Sequence, residues 1–233
     1  MNNLELIREN LVNRAKKILS ERKEYSIFNS INVYIKDSLG EEINMISVIR
    51  KIEELIPRHL FDFVSSEIEG IYVGQFEELI SREVKAVYKD NKIFMTNEQA
   101  SEDEMVNDII HEIAHAIESF AGMEIYSDGY LETEFLRKRK KMIEVLAAEG
   151  YRFNVVDFLD SKFSKNLDQF LYKKVGYDKL SLLCIDIFPT PYAMTSLREY
   201  FAVGLEEYLY GDKMELKKVS PVLYSKIKSI VEG

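Results

Sequence analysis

Only one of the 233 residues is cysteine and only three are histidine. A single thiol excludes an internal disulfide framework and any cysteine-rich zinc knuckle. Cys184 stands in the apolar run Leu182-Leu183-Cys184-Ile185, where a buried, inert thiol is expected. No stretch approaches the roughly 18 consecutive apolar residues of a membrane span. Met1-Asn2-Asn3-Leu4-Glu5-Leu6 lacks the charged-then-apolar pattern of a signal peptide. As written the chain is expected in the cytoplasm, and a secreted chain trimmed of its leader would read the same. Basic charge is also short: 31 Lys and Arg face 40 Asp and Glu, for a net charge of −9. That balance disfavours nucleic acid as a partner. The one dense basic run, Arg137-Lys138-Arg139-Lys140-Lys141, falls in a helical stretch rich in acids and is expected to be a solvated face.

Hydrophobic residues make up 46% and charged residues 30%, the balance of an ordinary soluble domain with enough apolar side chains for a sizeable core. Repeats, low-complexity tracts and Gly/Ser linkers are absent, so residues 1–233 are expected to form a single domain. Leu4 to Leu19 carries apolar residues at helical spacing. Ile31 to Ile35 alternates as a strand does, and Ile43 to Leu60 is again helical, with a break near Pro57. Ile71 to Gly74 is a short strand candidate. Ala86 to Tyr88 and Lys92 to Thr96 flank the polar turn Lys89-Asp90-Asn91 and suit a hairpin. From Ser101 onward the patterns are helical, with breaks near Gly122, Gly150, Gly176 and Pro189 to Pro191. The expected architecture is α+β: a small sheet and the helix that follows Ser101 in a sub-lobe of roughly 1–122, then a helical sub-lobe of 123–233.

The chemistry concentrates on the helix that closes the first sub-lobe. Ser101-Glu102-Asp103-Glu104 is a capping box. Val106, Ile109, Ile110, Ile113, Ile117 and Phe120 share one face of the helix that follows. Asp108, His111, His115 and Glu118 lie on the other. His111-Glu112-Ile113-Ala114-His115 is an H-E-x-x-H pattern, with two histidines one turn apart able to converge on one cation. Glu112 projects about 100° round from His111, close enough to reach a water beside the metal without binding it. The pattern points to one zinc ion per chain that activates water, with Glu112 as general base for attack on a carbonyl. Asp108 and Glu118 are candidate acceptors for the imidazole N–H groups. His59, with no ligand partner nearby, is expected to be a surface histidine.

A catalytic zinc site commonly has three protein ligands and a water. No third histidine follows at short spacing, so the remaining ligand is expected to be a carboxylate from a later helix, with the best candidates between Tyr192 and Tyr208. Ser196-Leu197-Arg198-Glu199 is itself a capping box, which offers Glu199 a second, purely local role. The stretch Glu199-Tyr200-Phe201-Ala202, with Tyr192 seven residues before Glu199, resembles the zinc-peptidase domain of the anthrax lethal factor family, which includes the secreted Pro-Pro endopeptidases. Ile56 to Gly74 is similar to the segment ahead of that family's active-site hairpin. The resemblance implies a gluzincin-type zincin fold, Glu199 as the third zinc ligand and Tyr192 as a phenol aimed at the metal and substrate. Glu206 and Glu207 are the alternative ligands. The chain departs from the family at Ala114, where glycine is usual, and at Val203, where an acid is often found.

The function so implied is a zinc-dependent endopeptidase acting on a peptide or protein. Two other readings fit the motif: an H-E-x-x-H peptidase of mobile elements that cleaves a regulator, and a binding protein on a retired peptidase scaffold. The first usually comes with a DNA-binding module, and no helix-turn-helix is evident. The second gives no reason to retain Glu112.

Overall fold

The computed structural model describes residues 25–81 and 84–233, so the helix expected over Leu4 to Leu19 lies outside the described residues. The order is β1 (Tyr25–Ile27), β2 (Ile31–Ile35), α1 (Met45–Leu55), α2 (Arg58–Glu67), β3 (Gly70–Val73), α3 (Glu77–Ile80), β4 (Ala86–Lys89) and β5 (Lys92–Met95). Then follow α4 (Glu102–Tyr126), α5 (Tyr130–Ala148), α6 (Val155–Leu159), α7 (Lys165–Gln169), which runs into a π-helical turn, and α8 (Tyr177–Leu183). A 3-10 turn (Tyr192–Met194) precedes α9 (Leu197–Leu209), α10 (Lys213–Val219) and α11 (Pro221–Glu232). The protein is thus mixed α+β, mostly helical, with one five-stranded sheet.

The sheet runs β1-β2-β3-β5-β4. β2, β3 and β5 are parallel, and the two outer strands are antiparallel to their neighbours. Ile31, Val33, Ile71, Val73, Ile93 and Met95 alternate onto the buried face. The other face carries a ladder of stacked rings, Tyr34 on Tyr72 and Tyr72 on Phe94. Asp90 and Asn91 both take positive φ in the β4–β5 turn, as a tight hairpin of this hand requires. The hairpin expected here is therefore realised, with Lys89 paired to Lys92 so that the turn is two residues rather than three. β1 is not evident in the sequence: it is three residues long and joins β2 through Phe28 and Asn29, both also at positive φ.

Pro57 separates α1 from α2, as a residue without a backbone donor should. Gly122, by contrast, does not end its helix. α4 continues to Tyr126, because Ile125 still has core to enter, and the chain turns at Gly129 with φ of 71°. The expected boundary at residue 122 therefore falls inside a helix. Phe120 is also not a core residue; it is 39% exposed and stacks on Phe63.

The basic run on α5 differs most from expectation. Lys138 is 5% exposed and Arg139 0%. Five consecutive helix positions span the whole helix circumference, so a run of five cannot all face water on a helix packed on one side. α5 also carries Glu134, whose carboxylate accepts from the backbone N–H groups of Val222 (2.9 Å) and Leu223 (3.1 Å) and caps the start of α11. α11 then packs against α9 at Gly204, where an added Cβ would come 2.6 Å from Leu223 and 2.8 Å from Ile227. The buried apolar residues form one continuous cluster from Ile27 to Val231, shared by the sheet, α4 and the later helices. None of the described helices is long and apolar enough to cross a membrane.

Candidate metal centre

α4 begins as its sequence dictates: Ser101 Oγ accepts from the Glu104 N–H (3.1 Å), and the Glu104 carboxylate turns back to the Ala100 N–H (2.6 Å). It buries Val106, Ile109, Ile110, Ile113 and Ile117 and presents His111 and His115 on its other side. The imidazole ring centres are 5.0 Å apart and the rings nearly perpendicular.

α9 supplies that point. Ser196 Oγ accepts from the Glu199 N–H (3.1 Å), so the cap forms. The Glu199 side chain does not close the box. Its Oε2 lies 3.0 Å from His111 Nε2 and 3.5 Å from His115 Nε2. His111, His115 and Glu199 each offer a ligand atom within 4.8 Å of the other two. Two imidazole nitrogens and one carboxylate oxygen on one centre are a donor set that suits zinc.

The far sides of the two rings are also held. Nδ1 of His115 meets Glu118 Oε2 at 2.8 Å, and Nδ1 of His111 meets Glu206 Oε1. A carboxylate at Nδ1 holds a ring proton there, so Nε2 is the atom that each ring turns to the shared point. Glu118 is held in turn by Arg198 Nε (3.1 Å) and the Tyr126 hydroxyl, and Glu206 by Asn107 Nδ2 (2.9 Å). The donors therefore fit a bound zinc both in kind and in orientation.

Burial opposes charge on all three groups, yet their mutual contacts win. His115 is raised to about 9 by its bonds to Glu118 and Glu199, against burial, and His111 is raised well above its ordinary value by Glu199 and Glu206. The same hydrogen bonds hold Glu199 well below the usual carboxylate range despite burial.

Glu112 is 5% exposed and sits under the edge strand, where one oxygen accepts the Tyr88 N–H of β4. Burial pushes its carboxyl above the ordinary value, partly offset by the neighbouring histidines. Tyr192 stands in the 3-10 turn before α9, its ring centre 5.9 Å from that of His111. Among the described residues its hydroxyl makes no hydrogen bond, and burial followed by the Glu199 charge raises it strongly.

The other residues singled out in the sequence fall elsewhere. Glu207 does not join the cluster and accepts instead from the Asp212 N–H (3.2 Å). Asp108 turns away from the rings to Gln99 Nε2 (3.1 Å), and burial raises its carboxyl to about 6. His59 is an exposed residue of α2. Glu206, expected only as an alternative ligand, orients His111. Its signal was available: seven residues after Glu199 is two helical turns, on the same face. Val203, where the family carries an acid, is buried in apolar contacts.

No protein-family model matches the sequence, and no curated protein does. Among solved structures the chain is similar to the Pro-Pro endopeptidase PPEP-2 from Paenibacillus alvei, with a TM-score of 0.45 and 16% identity over 88% of this chain and 100% of that one.

Proposed function

We propose that the protein is a gluzincin-type zinc metalloendopeptidase that hydrolyses a peptide or protein substrate. The observation that carries this reading is the convergence of His111 Nε2, His115 Nε2 and Glu199 Oε2, from helices 88 residues apart, with both Nδ1 atoms already held by carboxylates. His111, His115 and Glu199 would hold one zinc ion. When bound, zinc supplies a Lewis acid that lowers the pKa of water and polarises a carbonyl. Glu112 is the general base. One of its oxygens is tied to the Tyr88 N–H, which fixes the carboxylate and leaves the other oxygen to take the proton of the attacking water. Its raised pKa also suits it to pass that proton on to the leaving amine. Tyr192 donates its phenol to the oxygen on which negative charge develops, a role that fits a hydroxyl with no hydrogen bond among the described residues. The described residues act as one unit, since the histidines lie on α4 and Glu199 on α9.

The experiment is metal analysis of the purified protein together with cleavage of a peptide library. Stoichiometric zinc and zinc-dependent cleavage are expected. A protein that takes up no zinc under gentle conditions has another function.

A further inference from the structure

The mechanism above makes no use of two buried cations of α5, Lys138 and Arg139. Arg139 spreads its guanidinium over backbone carbonyls alone. Nε donates to Met194 O (2.9 Å), and Nη2 to Met194 O and Thr195 O (2.7 Å each). Nη1 donates to Asp157 O (3.2 Å) and to Asp160 O. The Phe135 ring lies 4.5 Å from the guanidinium carbon. Lys138, one position earlier, donates from Nζ to Val219 O (2.6 Å) and to Ile187 O. Neither cation has a carboxylate in hydrogen-bond contact among the described residues. Burial lowers Lys138 to about 8 and Arg139 to about 10.

Such an arrangement is a poor way to gain stability. Burying a lone cation carries a desolvation cost, and its removal would leave its carbonyl acceptors without donors rather than relieve a strained pair. What it provides is direction. The acceptors of the pair, Ile187 on one side and Met194 with Thr195 on the other, bracket the segment that carries Pro189, Pro191 and Tyr192. Thr195 immediately precedes Ser196, the cap of the Glu199 helix. The α6 end that Arg139 also grips is joined to that helix by a second bond, Leu197 N–H to Ser161 O (2.8 Å).

We propose that Lys138 and Arg139 are positioning residues that clamp the two ends of the Tyr192 segment and set the phenol and the Glu199 carboxylate against His111 and His115. The clamp itself is a matter of backbone geometry; its consequence for zinc rests on the metallopeptidase reading. The two residues do different work. Arg139 grips the exit of the segment and the start of α9, so it governs both Tyr192 and Glu199. Lys138 grips the entry, so it governs the Tyr192 segment and leaves Glu199 alone.

The test combines amide exchange, read segment by segment, with zinc affinity from chelator competition. In Arg139→Met, exchange across residues 192–199 rises by about tenfold or more while the sheet strands stay protected, and zinc binds about 10–100-fold more weakly. Arg139→Lys keeps the cation but not the fan of donors, and falls between wild type and Met on both measures; it carries the test should the Met variant fail to fold. In Lys138→Met, exchange rises at residues 187–192 and zinc affinity stays within about twofold. The proposal is overturned if Arg139→Met leaves exchange and zinc affinity unchanged, if the segment loosens without weakening zinc, or if protection falls equally throughout the fold in both Arg139 variants. Wild-type protein that takes up no zinc defeats the metallopeptidase reading, and the exchange data still decide whether the clamp exists.

Discussion

α4 and α9 start with the same sequence signature and use it differently. Both have serine at the cap and glutamate three residues on, and both serines accept the expected backbone N–H at 3.1 Å. Glu104 then returns to the backbone ahead of its own helix and pairs with Lys85. Glu199 leaves its helix start and reaches the two histidines. A capping box is worth about 1 kcal/mol, and charge-assisted bonds to two imidazoles in a half-buried site exceed that. Local signatures give way when a stronger partner stands within reach of the same side chain.

The largest expected effect comes from removing each glutamate in turn. Glu199→Ala should weaken zinc by more than about 100-fold, beyond the cost of losing an outer partner. Glu104→Ala should leave zinc affinity alone and lower stability by about 1 kcal/mol. Chelator titration and thermal melts of the two variants check this, and equal zinc affinity in both would erase the distinction between the helices.

Glu112 sharpens the comparison from within α4, as a carboxylate beside the site but outside the converging trio. Glu112→Gln should keep its zinc and lose hydrolysis by about 10²–10⁴-fold. If Glu112→Gln lost zinc while Glu199→Gln retained it, the two roles would be exchanged.

Tyr192 tests the approach to α9. Tyr192→Phe should lower kcat by roughly 10- to 1,000-fold with KM, zinc content and Tm close to wild type, because a donor to the oxyanion acts in the transition state. Full turnover in a less stable protein would assign Tyr192 to packing. Next in size is Glu206→Gln, expected to weaken zinc about 10–100-fold by releasing His111 Nδ1; unchanged affinity would make Glu206 a bystander.

The smallest effect concerns Asp108, the acid on α4 that neither caps nor faces the histidines. Burial raises its folded pKa to about 6, above the ordinary value of 3.8. Its ionised form is therefore disfavoured in the folded state. The cost is absent below the unfolded pKa, grows between the two values and is fully present above about 6. Asp108→Asn, assayed without zinc, should match wild type near pH 4 and be the more stable at pH 7.5. About 3 kcal/mol is the ceiling for a shift of this size, and residual solvent screening lowers it. The same Tm difference at both pH values would refute the assignment.

The parts of the site legible in the sequence are those that a single helix fixes. The spacing of His111, Glu112 and His115 determines their relation once Ser101 starts the helix. Glu199 and Tyr192 were reached through family resemblance, since nothing local says which of several acids a helix 88 residues away will present. The burial of Lys138 and Arg139 is hidden from the sequence for the same reason. A run of charge looks solvated when its acceptors are carbonyls supplied by loops about 50 residues downstream. Among the strands, the ones with alternating patterns were evident, whereas β1 depends on positive-φ turn residues and on pairing with β2.

Gly204 has a mechanical consequence for α9, the helix that carries Glu199. It lies about 140° round α9 from Glu199, on the reverse of the face that meets the histidines. Leu223 and Ile227 of α11 occupy the space that any side chain there would need, and both are fully buried. The C-terminal helix thus works as a backstop, pressed directly against bare backbone, and its seat is fixed by Glu134 at the start of α11. The tolerance at that seat is less than one methyl group. Whatever thickens the contact must push α9 forward, and the first side chain to feel the displacement is the carboxylate that closes the site.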